Sequence, residues 1–251
     1  MVSLAMAWRI HGVRYGKLPT MPKVMIRQCQ HNAWSSREMP LNHTELEDRW
    51  HRLWRALGAA PAAGAFDYLC MQYSEPGRHY HTLEHIAACL EHFDSWRHLA
   101  DKPHLVELAL WLHDVIYDTH RVDNEACSAQ YAIALLTAAG VPEYAPAVEA
   151  MIMATTHQTG SQADDCGLVL DIDLAVLAQP PQAYKSYQQA VQQEFAWVPD
   201  DLFRAGRADV LRGLLSSHPL YGHPEISAAW EAIARSNIES ELLELEGPQS
   251  K

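Results

Sequence analysis

A histidine and an aspartate stand side by side near the middle of the chain, directly after an apolar, helix-like run that ends at Trp111-Leu112. A carboxylate buried there, as Asp114 would be, needs a cation or a full set of hydrogen bonds. His113 and Asp114 are side chains that bind divalent metals. The side chains of adjacent helical residues point about 100° apart. His113 and Asp114 can therefore bind one ion only if the backbone bends between them or if the ion lies between the two side-chain directions. A structural His–Asp hydrogen-bonded pair is the alternative.

Two further segments carry side chains that bind metals. His81 and His85 are four residues apart, a spacing that predicts one shared helix face. Asp171 and Asp173 stand in the apolar run 170–174 and would face different ways on a helix. One aspartate is expected to point at the metal while the other caps a helix or faces solvent, and spacing alone does not select between them. We predict that the three segments form one metal site.

The composition excludes several kinds of partner. The formal net charge is −12 with histidine neutral, whereas a long nucleic acid requires a basic face. A small phosphorylated substrate remains compatible, because a bound cation reverses the local sign of the charge. The five cysteines are widely spaced without a CxxC pair, and no apolar run reaches membrane-spanning length. We therefore predict a cytoplasmic protein without a membrane partner; nothing in the sequence indicates an oligomeric state.

Apolar residues recur at helical spacing from Asn42 almost to the C-terminus, and the segments are separated by Pro and Gly. Almost no stretch alternates with the period of two that a half-buried strand shows. We predict an all-α protein with a single helical bundle over residues 43–246. Residues 1–42 lack a clear period and are predicted to be a weakly ordered extension, and residues 247–251 a short tail.

The candidate metal-binding residues, in their order along the chain, resemble those of the HD superfamily of metal-dependent phosphohydrolases, which have an all-helical fold. The piece Tyr80-His81-x-x-x-His85 is similar to the first motif of the cyclic-nucleotide phosphodiesterases within that superfamily. There the first histidine is a proton donor and the second binds metal. The resemblance therefore implies that His81 is the general acid, and it implies these metal ligands: His85, His113, Asp114 and Asp173.

A longer pattern also resembles an uncharacterised bacterial family of predicted HD phosphohydrolases, and this likeness covers about residues 44 to 246. It comprises the runs 113–118, 123–125, 154–157 and 171–174. Only the four metal positions are specific to function. The chain departs from the phosphodiesterases after the His-Asp pair, where their additional histidine is absent and Asp118 stands nearby. Thr82 replaces the asparagine of their first motif, so cyclic nucleotides are not implied as substrates.

The predicted function is metal-dependent hydrolysis of a small phosphate ester or anhydride that is nucleotide-like, with His81 and the ligand Asp114 as catalytic residues. The cofactor would be a divalent metal, and the pattern does not distinguish among Mn, Mg, Fe, Co, Ni and Zn. Arg78, Arg121 and His157 are candidates for contact with the phosphate. Asp118 and Asp171 are candidates for orienting the metal ligands.

Two other functions are compatible with this pattern. Some proteins with an HD fold hold two irons and activate dioxygen, and Asp118 and His157 are available as the additional ligands that such an oxygenase needs. A non-catalytic nucleotide-binding sensor is the other alternative. Elemental analysis and an O₂ requirement distinguish the oxygenase, and tight nucleotide binding without product distinguishes the sensor.

Overall fold

The structure is a computed structural model, and it describes residues 42–156 and 162–247. His157, residues 1–41 of the predicted extension and residues 248–251 of the predicted tail lie outside the described residues. Within the described ranges there is no strand, which confirms the all-α prediction. The same ranges contain ten α-helices: α1 His43–Ala56, α2 Ala65–Gln72, α3 Leu83–Trp96, α4 Pro103–Leu112, α5 Asn124–Ala138, α6 Ala145–Ala154, α7 Asp165–Asp173, α8 Pro181–Glu194, α9 Asp200–Ser216 and α10 Pro224–Glu246.

Short 3₁₀ segments extend or precede three of the helices, at Arg97–Leu99, Pro142–Tyr144 and Leu174–Ala178. These are places where the sequence pattern predicts continuous helix, so the helical phase is right and only the tightness of the turns differs. None of the described helices combines the length and the apolar composition that crossing a bilayer requires.

Helix α1 illustrates how local sequence sets a helix start. The Asn42 side chain accepts a hydrogen bond from the backbone N–H of Glu45 at 3.1 Å, and the Glu45 carboxylate accepts one from the Asn42 backbone at 2.9 Å. This reciprocal capping box satisfies two N–H groups that have no partner inside the helix. Gly58, with φ of 73°, lies just past the end of the helix in the left-handed conformation that glycine adopts without strain.

Helix α4 lies at the centre of the bundle. Every residue from Leu105 to Leu112 is buried, and the helix packs against α1, α3, α5, α6 and α7. A helix that is apolar all round is stable only when it is enclosed on all sides. Its buried position therefore fixes where the residues that follow it, His113 and Asp114, enter the interior.

A buried ion-pair network joins α1, α3 and α4. The Arg49 guanidinium donates to Glu107 at 2.8 Å and, through two nitrogens, to Asp94 at 2.7 and 2.8 Å. Arg97 also pairs with Glu107. The side chain of Glu107 is only 4% exposed, so its charge depends on these two arginines for compensation.

Replacement of Glu107 by alanine is expected to lower the free energy of unfolding by about 3 kcal/mol, because it leaves a buried guanidinium with an incomplete set of partners. Urea denaturation followed by far-UV circular dichroism measures the change. The control is Glu91→Ala, which removes an exposed glutamate of α3 and should change stability by no more than about 0.5 kcal/mol. Equal losses in the two variants would show that the network adds nothing beyond ordinary surface charge.

Candidate metal centre

Four side chains from three separate parts of the chain converge in the interior. One ligand atom each from His85, His113, Asp114 and Asp173 lies within 4.8 Å of the others, and no ion is present. All but Asp114 are buried, and the Asp114 side chain is 14% exposed. The donors that the sequence predicts thus meet at one point, and together they could hold a metal ion.

Most distances between the donors suit a single cation. Nε2 of His85 lies 3.3 Å from Nε2 of His113 and 3.3 Å from Oδ1 of Asp173. Nε2 of His113 lies 3.4 Å from that Asp173 oxygen and 3.1 Å from Oδ2 of Asp114. Donor atoms that surround one cation at about 2.1 Å lie about 3.0 Å apart at right angles and about 3.4 Å apart at the tetrahedral angle. Four of the six donor pairs already have about that spacing, whereas Nε2 of His85 lies 3.8 Å from Oδ2 of Asp114.

The end of α4 provides the backbone bend that a His–Asp pair needs. The helix ends at Leu112, and His113 keeps helical dihedral angles of −60° and −34° as its C-cap. Asp114 lies one residue past the cap, outside the helix. The two side chains therefore leave the backbone from different local structures, and both reach the cluster despite being adjacent in sequence.

The position of His81 differs from the sequence prediction. Helix α3 begins at Leu83 with Thr82 as its N-cap residue, so His81 lies in the preceding turn and not on the helix that carries His85. The shared helix face predicted from the spacing is therefore wrong. The two rings are nevertheless near neighbours, with centroids 6.0 Å apart, because the turn folds back beside the first helical turn.

A backbone carbonyl group orients one of the two ligand histidines. Nδ1 of His113 lies 3.0 Å from the carbonyl oxygen of Leu110. A carbonyl only accepts, so Nδ1 carries the proton and the Nε2 lone pair is left for a cation. The His85 ring has Sγ of Cys89, one helical turn further along α3, at 3.7 Å from both of its nitrogens, so this contact does not select one of them.

The charges in the cluster favour a positive ion. Burial lowers the pKa of His85. Burial also opposes protonation of His113, but the carboxylates of Asp114 and Asp173 outweigh it and raise the pKa of His113 to about 10. Burial by itself would raise the pKa of Asp114, but the nearby His113 and His81 rings outweigh burial and hold this pKa far below its usual range. The two carboxylates therefore attract positive charge to the centre of the cluster.

The structure reveals a partner of His81 that the sequence analysis missed. Oε2 of Glu194 lies 2.7 Å from Nδ1 of His81 and accepts a hydrogen bond from the Tyr117 hydroxyl at 2.8 Å. The Tyr117 ring also stacks on His81, with centroids 4.0 Å apart. The other oxygen, Oε1, accepts from the backbone N–H groups of residues 79, 80 and 81 at 2.7 to 2.9 Å. Glu194 thus holds both the ring and the turn that carries it.

A sequence signal for Glu194 exists in the pattern of α8. The buried residues of this helix are Tyr184, Tyr187, Val191 and Glu194, which follow helical spacing along one face. A glutamate at the end of an otherwise apolar stripe predicts a buried carboxylate, and a buried carboxylate requires donors. The pattern does not say which donors, because they lie between 77 and 115 residues earlier in the chain.

Glu194→Gln is expected to destabilise the protein most near neutral pH and progressively less as the pH falls below about 4.5. Burial by itself would raise the pKa of Glu194. The His81 ring and the backbone N–H groups outweigh burial and lower this pKa from 4.5 to about 2. A carboxyl group whose pKa is lowered by folding stabilises the fold at pH values above the pKa of the unfolded chain, near 4.5. That stabilisation is lost as the pH falls through the folded-state pKa of about 2. The change in pKa corresponds to about 3 kcal/mol of folding free energy.

Unfolding free energies of the parent and of Glu194→Gln, measured in urea from pH 7 to pH 3, check this prediction. The difference in unfolding free energy between the parent and Glu194→Gln should become smaller as the pH falls below about 4.5. Glu84→Gln, which changes an exposed glutamate of α3, serves as the control. A gap that stays constant over the whole range would contradict the assignment of an ionised Glu194.

Asp171 and Asp173 have different partners, although both are buried. Asp173 belongs to the cluster, as the resemblance implies. The Asp171 carboxylate accepts hydrogen bonds from the backbone N–H groups of Gly222 and His223, each at 2.9 Å, and lies 3.1 Å from the His223 ring. Since His223 is the N-cap residue of α10, Asp171 ties α7 to the start of the last helix.

Arg78 lies at the site, and backbone carbonyl groups occupy its guanidinium. Nη1 donates to the carbonyl oxygens of His81 at 3.1 Å and Asp114 at 2.7 Å, and Nη2 donates to Val115 at 3.0 Å. The side chain is 2% exposed. Arg78 therefore joins the turn of His81 to the segment after α4. Its predicted contact with phosphate stays a prediction.

Arg121 and Asp118 both contact residues of their own loop, which ends at residue 123 before α5 begins. Arg121 pairs with Asp123 at 2.9 Å. The half-exposed carboxylate of Asp118 accepts a hydrogen bond from the backbone of His120 at 2.9 Å and lies 3.0 Å from its ring. The predicted roles of Arg121 toward phosphate and of Asp118 toward a metal ligand stay predictions.

Comparisons of the chain with protein-family models, with curated proteins and with solved structures find no match. The functional argument for this protein therefore depends on its own residues: the four-donor cluster and the His81–Glu194 pair beside it.

Proposed function

We propose that this protein is a metal-dependent phosphohydrolase of the HD type, acting on a small, nucleotide-like phosphate ester or anhydride. The observation that carries the proposal is the combination of two sites in one interior. Four metal donors converge within 4.8 Å, and His81, paired with a buried glutamate, lies with its ring centroid 6.0 Å from that of the ligand His85. A purely structural His–Asp pair would not require the second histidine and its carboxylate.

The donor set fits a divalent cation. Two imidazole nitrogens and two carboxylate oxygens are suitable ligands for Fe, Co, Ni, Zn and Mn. Mg prefers oxygen ligands and would be bound mainly by the carboxylates. When bound, such a cation supplies a water ligand of lowered pKa and polarises a phosphoryl oxygen. His85, His113, Asp114 and Asp173 would hold it.

The role of His81 is to protonate the leaving oxygen. Hydrolysis adds the oxygen of one water to phosphorus and breaks the bond to the leaving oxygen, which needs a proton to depart as an alcohol or a phosphate. Glu194 fixes a proton of His81 on Nδ1 and orients the ring, as a carboxylate does in other catalytic His–acid pairs. Nε2 is then the nitrogen that gives the proton.

A substrate screen on metal-stripped protein tests the proposal. The protein is reloaded separately with Mn, Mg, Fe, Co, Ni and Zn, and is offered p-nitrophenyl phosphate, nucleoside mono- and triphosphates and sugar phosphates. Phosphate release that returns with metal and disappears with chelator is the expected result. Elemental analysis of the protein as purified accompanies the screen.

Three outcomes would contradict the proposal. One is the absence of phosphate release with every metal and substrate. Another is two irons per chain together with O₂ consumption, which would identify an oxygenase. The third is tight nucleotide binding without product, which would identify a sensor.

A further inference from the structure

An exposed aromatic pair joins the loop after the His–Asp segment to the turn after α8. The rings of His120 and Trp197 stack, with centroids 4.1 Å apart and an interplanar angle of 18°. The indole Nε1 donates a hydrogen bond to Oγ1 of Thr119 at 2.8 Å. Trp197 is 42% exposed, and the His120 side chain is 60% exposed. We call these two residues the aromatic platform.

Each residue of the platform lies three positions along the chain from a residue that contacts His81. His120 follows Tyr117 by three residues, and the Tyr117 ring stacks on His81. Trp197 follows Glu194, the partner of His81, by the same number of residues. Three residues span at most about 11 Å even when fully extended. The backbone of each platform residue therefore lies within about 11 Å of the backbone of a residue that contacts His81.

The platform is rigid as well as near. The hydrogen bond to Thr119 fixes the rotation of the indole, and the stacked imidazole fixes its plane. A large aromatic surface that is fixed in place but left partly in water gains free energy when another flat ring covers it. Nucleobases are such rings, and their stacking on aromatic side chains is tolerant of base identity.

We propose that the aromatic platform binds the nucleobase of the substrate by stacking, so that His120 and Trp197 determine the preference for nucleotides over aliphatic phosphate esters. This inference rests on the proposed phosphohydrolase function and deepens it. A nucleotide carries its base and its phosphate at opposite ends of a sugar, so the platform would take the base while the metal centre takes the phosphate.

Steady-state kinetics of metal-loaded protein test the platform, with adenosine 5′-monophosphate and glycerol phosphate as the paired substrates. Trp197→Ala should raise KM for the nucleotide about tenfold or more and leave kcat nearly unchanged, with little effect on either constant for glycerol phosphate. Trp197→Phe should restore most of the loss, because a phenyl ring still stacks. Leu202→Ala, which truncates an apolar side chain with the same 42% exposure on α9, is the matched control.

A binding measurement without phosphate separates this inference from the proposed function. Adenosine should quench part of the tryptophan fluorescence of the parent saturably, and that part should be missing in Trp197→Phe. Equal KM changes for both substrates, or quenching that Trp197→Phe leaves intact, would overturn the platform while phosphate release still stood. If the parent releases no phosphate, the quenching comparison by itself decides whether the platform binds a nucleobase. Fluorescence of Trp197 that responds to a peptide or protein and not to adenosine would also overturn the inference.

Discussion

Asp114→Ala should lose metal binding and phosphate release together. Its carboxylate lies beside His113 in the cluster, at 3.1 Å from Nε2. Its loss removes one donor and one of the two negative charges that attract a cation. Because a bound metal contributes several kcal/mol to such a reaction, turnover should fall by about a thousandfold or more. The fold should survive, since Asp114 is the most exposed of the four donors.

Metal content by elemental analysis and phosphate release on the same samples measure both effects of Asp114→Ala. The matched control is Asp67→Ala, which removes an exposed carboxylate of α2 outside the cluster and should leave metal content unchanged. If Asp114→Ala hydrolyses phosphate esters as fast as the parent, the assignment of the metal centre is wrong. Equal loss of metal in Asp67→Ala would mean that the loss is not specific to the cluster.

His81→Ala should separate metal binding from chemistry. His81 is not a member of the four-donor cluster, so the metal content should remain that of the parent. Loss of a positioned general acid lowers the rate typically by about 10² to 10⁴. The loss should be largest for substrates with a poor leaving group and small for p-nitrophenyl phosphate, whose leaving oxygen departs without a proton.

The comparison of leaving groups is the control for His81→Ala. A uniform loss across all substrates, or a parallel loss of metal, would mean that His81 supports the site structurally and does not act as the acid. Glu194→Gln should show the same dependence on leaving group in weaker form, because the histidine remains but loses the carboxylate that orients it.

Helix positions followed from the sequence with small errors. The apolar run of α4 predicts a helix that begins at Pro103 and leads to His113, and the structure ends that helix one residue earlier, at Leu112. Asn42, a residue type favoured at helix N-caps, forms the capping box. Such features are local, because caps and apolar spacing act within a few residues of each other.

The positions of individual site residues were less predictable. The His81–His85 spacing suggests one helix face, but His81 lies before the N-cap, in a turn that Glu194 and Arg78 hold. Between two aspartates in one apolar run, only packing separates Asp173, in the cluster, from Asp171, at the start of α10. Spacing gives the direction of a side chain relative to its own element and not the neighbour that it meets.

The sequence by itself determined that the protein is helical and that it carries imidazole and carboxylate groups at metal-binding spacings. Only the tertiary structure decided that four of them converge within 4.8 Å and that a glutamate far along the chain holds His81. The physical reason is that helix formation depends on nearby residues, whereas the centre depends on how α3, α4, α7 and α8 pack. That packing is set by the apolar surface of the whole bundle.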